Sequence, residues 1–112
     1  MATRTPVTIF LKTLSAVATD TSYTVPPNSS LTISAATLNN STATARTVTA
    51  QITPSGGSAL PIVSALPVPV AGTAPTTLPG LVGQTLPAGT KLEMLADAAA
   101  AVNVLVSGYI QQ

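Results

Sequence analysis

Val102-Asn103-Val104-Leu105-Val106-Ser107-Gly108-Tyr109 places three valines at alternate positions close to the end of a 112-residue chain. Successive side chains of an extended strand point to opposite faces, so Val102, Val104 and Val106 share one face and Asn103, Leu105 and Ser107 the other. The same period of two recurs upstream. Val7, Ile9 and Leu11 alternate with Thr8, Phe10 and Lys12, and Leu31, Ile33 and Ala35 with Thr32, Ser34 and Ala36. Val48, Ala50 and Ile52 alternate with Thr47, Thr49 and Gln51, and Leu92 and Met94 with Lys91 and Glu93. Weaker strand signals lie around residues 22–25, 60–65 and 81–86. Val, Ile and Thr suit a pleated, half-buried surface because their branched Cβ restricts χ1.

Turn chemistry separates these runs: Pro26-Pro27-Asn28, Asn39-Asn40-Ser41, Pro54-Ser55-Gly56-Gly57, Pro79-Gly80 and Pro87-Ala88-Gly89. Short strands at this spacing predict an all-β fold, an antiparallel β-sandwich of jelly-roll type with about eight short strands, forming a single domain over residues 1–112. One helical alternative stands at Asp97-Ala98-Ala99-Ala100-Ala101, where Asp97 could cap a single turn before alternation resumes at Val102. Val25-Pro26-Pro27-Asn28-Ser29-Ser30-Leu31-Thr32-Ile33 is echoed in pattern by Leu86-Pro87-Ala88-Gly89-Thr90-Lys91-Leu92-Glu93-Met94. Two related sheet halves would produce the echo, and so would the commonness of proline turns ahead of strands.

Residues 61–79 depart from the alternation, holding Pro61, Pro67, Pro69, Pro75 and Pro79. Proline cannot donate to a sheet ladder, so this stretch reads as an edge strand running into an extended loop. A stiff apolar loop loses little backbone entropy on docking. Pro67, Val68, Pro69, Val70 and Pro75 are therefore the candidate subunit-contact segment, with a plain edge strand and solvent loop as the alternative.

The charge content narrows the function classes. Four basic and three acidic residues make up 6% of the chain, and His, Cys and Trp are absent, against about one quarter charged in an ordinary soluble domain. Without His or Cys, and with only three carboxylates, the usual acid–base and nucleophilic machinery is missing, so no enzyme, catalytic residue, cofactor or metal site is expected. Glu93 and Asp97 are the nearest carboxylate pair, but four residues of strand span about 13 Å, beyond the separation a glycosidase needs, and both are expected to be solvated. The stretch from Gly83 to Lys91 fails as a phosphate-binding loop because Thr90 precedes Lys91 and Pro87 removes an amide. Ser58 has no histidine to activate it.

Arg4, Lys12, Arg46 and Lys91 form no basic run, so nucleic acid is not an expected partner. No apolar run approaches the roughly 18 residues of a membrane span, and no membrane partner is expected. Residues 7–11 are too soon interrupted by Lys12 to read as a signal peptide and are expected to be the first strand. Phe10, Tyr23 and Tyr109 are few for a carbohydrate-stacking platform. Asn28-Ser29-Ser30 and Asn40-Ser41-Thr42 match glycosylation acceptors only formally in so Ser- and Thr-rich a chain. The alternating Thr42, Thr44, Thr47 and Thr49 shift register at Arg46, which breaks any flat ice-binding ladder.

Several motifs occur in order: Ser22-Tyr23-Thr24-Val25-Pro26, Ala45-Arg46-Thr47-Val48-Thr49, Ile52-Thr53-Pro54-Ser55-Gly56-Gly57, Leu86-Pro87-Ala88-Gly89-Thr90, and the closing run from Asn103 to Tyr109. Together they resemble small β-sandwich virion structural proteins of tailed bacteriophages, over most of residues 22–109. The motifs are strand and turn chemistry, not a reactive site, and residues 66–79 depart from the pattern. The resemblance implies a capsid decoration or cement protein on the outer surface of the phage head. It would bind the major capsid protein, copies of itself, or both, as a homo-oligomer. A tail, neck or fibre-associated virion component is the alternative, and a carbohydrate-binding module a more distant one.

Overall fold

In the computed structural model, which describes residues 3–72, 75–78 and 80–112, the chain forms nine strands: β1 (Arg4–Thr13), β2 (Ser22–Thr24), β3 (Ser30–Asn40), β4 (Arg46–Thr53), β5 (Leu60–Val68), β6 (Thr76–Thr77), β7 (Thr85–Leu86), β8 (Lys91–Ala96) and β9 (Val102–Gln111). One sheet runs β1-β9-β3, with β6 and β7 both paired to β3, and the other runs β2-β8-β4-β5. Every pairing is antiparallel. This is the order produced when a long two-chain ribbon is rolled up. Its successive pairs are β1 with β9, β2 with β8, β3 with β6 and β7, and β4 with β5, and they fall alternately into the two sheets. That is a jelly roll, and because β6 and β7 occupy one strand position it has the expected number of positions.

Backbone hydrogen bonds hold the ribbon together where it turns from sheet to sheet. Leu14 N donates to Val102 O at 2.8 Å and Ala100 N to Leu14 O at 3.3 Å in the first corner. In the second, Val25 N donates to Thr90 O at 2.9 Å and Gly89 N to Val25 O at 3.0 Å. In the third, Ala71 N donates to Thr42 O at 2.8 Å. The second corner accounts for the sequence echo. Its two copies are the two chains of one corner, lying side by side and crossing in opposite directions between the sheets, not two separate sheet halves. Each needs a left-handed residue to turn, supplied by Asn28 (φ 60°) and Gly89 (φ 81°). Each then buries equivalent positions, Leu31 and Ile33 in one copy, Leu92 and Met94 in the other.

The core lies between the sheets. Leu31, Ile33, Leu38, Val48, Leu92, Met94, Val102 and Val106 are fully buried there, and such side chains each contribute about 1.5–3 kcal/mol of transfer free energy. On β9 the inward residues are Val102, Val104, Val106 and Gly108, as the alternation implies. Its two neighbours break phase. The pairing of β1 with β9 shifts between Thr8 and Phe10, so Ile9 and Phe10 both point inward and Leu11 points out at 73% exposure. The pairing of β3 with β9 shifts between Ile33 and Ala35, which turns Ala35 outward and Ala36 and Leu38 inward. The expected inward positions of Leu11 and Ala35 are thereby corrected: a bulge adds one residue and reverses the faces beyond it.

One alternative is removed and one further expectation revised. Residues 97–101 form no helix but turn between the sheets, with Ala100 at φ 57°. Of residues 81–86, only Thr85 and Leu86 are strand, while residues 81–84 close as a turn, Gln84 N donating to Leu81 O at 3.2 Å. The Pro54-Ser55-Gly56-Gly57 turn joins β4 to β5, with Gly57 N donating to Pro54 O at 2.9 Å and Gly56 at φ 74°. The Pro79-Gly80 turn includes a residue outside the described ones.

Gly108 is fixed by proximity. A Cβ there would overlap the Thr32 carbonyl oxygen across the pairing with β3, and backbone cannot move aside as a side-chain tip can. Gly108→Ala is expected to lower the unfolding free energy by about 2 kcal/mol or more. Gly57→Ala, whose Cβ would meet Pro54 at ordinary contact distance, should stay within about 0.5 kcal/mol of the parent. Urea denaturation of the two variants makes the comparison.

Candidate contact surface

The loops divide between two ends of the sandwich. Residues 14–21, 41–45, 69–72 and 97–101 gather at one end, tied by Ser41 N to Ala101 O at 2.9 Å, Ala71 N to Thr42 O at 2.8 Å and Ala100 N to Leu14 O at 3.3 Å. The turns at Asn28, Ser55 and Gly89 gather at the other, where a Cβ on Gly89 would lie 3.1 Å from Ser55.

The candidate segment belongs to the first end, and its residues divide by environment. Pro67 sits in β5 opposite Thr47, on the outer strand of its sheet. Val68, the last residue of that strand, is only 1% exposed and belongs to the core, so it cannot be a contact side chain. Pro69, Val70 and Pro75 are exposed in the crossover to β6, Val70 at 40%. Pro79 lies outside the described residues. Val17, Ala43, Ala45 and Ala99 add exposed small or apolar surface at the same end.

Asn40 organises this end. It is 2% exposed, and its Nδ2 donates to Thr44 O at 2.7 Å and Val68 O at 3.4 Å. Its Oδ1 accepts from Thr42 N at 2.8 Å and Thr42 Oγ1 at 2.7 Å. The side chain thus ties the β3–β4 loop to the end of β5, and its committed amide leaves the glycosylation match at Asn40 without a free acceptor. Arg46 lies beside it, opposite Val68, with its Nε buried and without a hydrogen-bond partner among the described residues.

The carboxylates are dispersed. Glu93 lies mid-strand in β8 between Ser22 of β2 and Gln51 of β4. It is 4% exposed, not solvated as expected, because neighbours on both sides enclose it, and Gln51 Nε2 donates to its Oε1 at 3.1 Å. Asp97 is exposed just past the end of β8. Asp20 sits by the first corner, accepting from Ser15 Oγ at 2.7 Å, while Lys12 Nζ donates to the Asp20 carbonyl at 2.6 Å. Among the described residues no three His, Cys, Asp or Glu side chains group as a metal site, and no helix is long and apolar enough to cross a membrane.

The aromatic residues are also separated. Tyr23 packs against the core from β2, and burial raises its phenol pKa above the ordinary value. Tyr109 lies in the other sheet under the Arg4 guanidinium, 4.7 Å from its ring centre, and Phe10 is buried. These placements give the aromatics no common stacking face.

No protein-family model matches the chain, and no curated protein matches it. Among solved structures, a chain in the structure of infectious bursal disease virus, Gx strain, aligns with 99% of this chain at a TM-score of 0.53 and 14% identity. A chain from the Gt strain aligns over 99% at a TM-score of 0.38 and 13% identity, too distant to bear on the fold. This chain spans about a third of those viral chains, 33% and 28% of their lengths. The first match shows a shared fold, and its source is an animal virus, not a tailed bacteriophage.

The division of the contact segment is testable by stability alone. Val68→Asp would bury an unpaired carboxylate and should cost more than about 3 kcal/mol. Val70→Asp, two residues on but exposed, should change the unfolding free energy by less than about 0.5 kcal/mol. Chemical denaturation followed by circular dichroism distinguishes them.

Proposed function

We propose that this chain is a structural protein of a virus particle and, more narrowly, a decoration or cement protein on the outer surface of a tailed-bacteriophage head, and not an enzyme. The observation that carries the reading is a jelly roll, shared in fold with a chain from a virus structure, whose exterior is built with very few charges. Burying ions in a protein contact is costly unless they are paired, so a surface of Thr, Ser, Ala, Asn and backbone suits being covered by other subunits. The phage head in particular is supported by the ordered Tyr-x-Val-Pro, Pro-Ser-Gly-Gly and Leu-Pro-Ala-Gly turns.

On this reading the partners are the major capsid protein, other copies of this chain, or both. The end carrying Pro69, Val70, Pro75 and Val17 offers the contact. Among the described residues, the loops at this end are held by corner hydrogen bonds and the Asn40 network, which favours docking at a low ordering cost. Nucleic acid, membrane and cofactors have no part in the proposal.

Removing the protein from mature particles is expected to lower their resistance to heat or chelator, and adding the purified chain back to restore it. Val70→Asp, folded but altered at the contact end, should restore it poorly. Unchanged particle stability after removal would contradict the cement role. Quantitative mass spectrometry should find hundreds of copies per particle; tens or fewer would move the protein to the tail or neck.

A further inference from the structure

The two sheets have four lateral edges, and three of them end in short or interrupted strands. Beyond β3 lie β6, β7 and the turn at residues 81–84, with Leu78 N donating to Ala36 O at 3.4 Å, Gly83 N to Ile33 O at 2.7 Å and Ile33 N to Gln84 O at 3.0 Å. Beside β8, the chain that leads into β2 occupies the ladder, with Ala96 N donating to Ser15 O at 3.0 Å and Met94 N to Thr21 O at 3.1 Å. β5 carries Pro61 and Pro67, two register irregularities against β4, and Ala65 at φ 50°. Prolines and bulges spread along the length of an edge in this way oppose the addition of another strand. β1 differs. It is 10 residues long and its one paired neighbour among the described strands is β9; its proline, Pro6, and its one bulge, at Ile9, lie in its first part, and residues 10–13 run opposite β9 in unbroken register.

The exposed face of that edge is apolar where it is most open. Leu11, at 73%, is the most exposed large hydrophobic side chain among the described residues, and its cross-strand neighbour Leu105 is 45% exposed. The single charge in residues 7–13 is Lys12, whose ammonium is already held by the Asp20 carbonyl of its own chain. A second identical edge therefore meets this one without requiring an opposite charge, and like can face like at Leu11.

We propose that β1 joins two copies of this chain, antiparallel about a two-fold axis at Leu11, so that the β1-β9-β3 sheets of both copies become one continuous sheet. Residues directly opposite in an antiparallel pair bring their Cβ atoms within about 4.5–5.5 Å. The pairing aligns Leu105, Leu11 and the second copy's Leu11 and Leu105 in one row across the dimer. It satisfies outward-facing backbone groups of β1 on either side of Leu11 and covers the exposed leucines together. It is an isologous contact that closes on itself. The proposal rests on the reading of the chain as an assembly component and names one of its partners as a second copy.

Sedimentation velocity of the purified full chain over a wide concentration range tests it. The expected result is a concentration-dependent dimer. Leu11→Glu, which sets two carboxylates against each other on the axis, should weaken the dimer at least tenfold while leaving the melting temperature of the fold unchanged, because Leu11 is exposed. Leu60→Glu on the interrupted β5 edge should leave dimerisation as it was. The chain has no cysteine, so Leu11→Cys should give a disulfide-linked dimer under mild oxidation, as the Cα separation across an antiparallel pair falls within disulfide reach. Leu60→Cys should not.

A monomer at every concentration, a dimer indifferent to Leu11→Glu, or crosslinking at position 60 in place of 11 would overturn the proposal. So would a strand from another virion protein seated on β1 of a chain that stays monomeric by itself. A chain that stays monomeric yet rebinds particles would end the β1 dimer and keep the decoration reading. A β1 dimer with no affinity for particles would do the reverse.

Discussion

The close passage of β3 over Gly108 is the constraint on which the first sheet depends. β9 is the one long strand of that sheet whose inward positions alternate without interruption, and both of its neighbours carry an extra residue opposite residues 106–108. With no Cβ at Gly108, the Thr32 carbonyl can lie against β9 at that point. The bulges on either side then rotate the outer part of each neighbour. Extra residues of this type raise the local twist of a sheet. They also determine which side chains reach the surface, since Leu11 and Ala35 face outward only because Ile9 and Ser34 take the additional places.

The rolled ribbon that follows is held at its corners by backbone more than by charged side chains. All three corners are bridged by main-chain hydrogen bonds, and the third is reinforced by the buried Asn40 amide. A chain built in this way needs few ions to define its loops. Its few charges are placed individually: Lys12 against a carbonyl, Arg4 over Tyr109, and Glu93 beneath Gln51. What remains outside is largely hydroxyl, methyl and amide, a surface that water tolerates and that a neighbouring subunit can cover without stranding a charge.

Much of this architecture can be read from the chain. The alternation of Val102, Val104 and Val106, the turns at Pro54-Ser55-Gly56-Gly57 and Pro87-Ala88-Gly89, and the strand signals around them specify an antiparallel sandwich because period and punctuation are local properties. Phase is not local. The bulges at Ile9 and Ser34 arise from how β1 and β3 meet β9, so nothing within Val7-Thr8-Ile9-Phe10-Leu11 reveals that Phe10 turns inward and Leu11 outward. Burial of Glu93 depends on Ser22 and Gln51, distant in sequence and adjacent only across the sheet. Val68 is indistinguishable from Val70 within the proline-rich stretch for a similar reason: the end of β5 is set by its pairing with Arg46. The β6 strand, two threonines long, exists through its pairing with β3 and carries no periodic signal of its own.

The central claim is that an ion-poor jelly roll of this kind is made to be covered by other subunits on a particle. Cryo-electron microscopy of the proposed particle addresses it most directly. The account predicts sandwich-shaped density outside the head shell, with the end formed by residues 14–21, 41–45, 69–72 and 97–101 against a neighbouring subunit. Mature virions in which that density is missing from every surface, while the chain persists as a free protein, would contradict it.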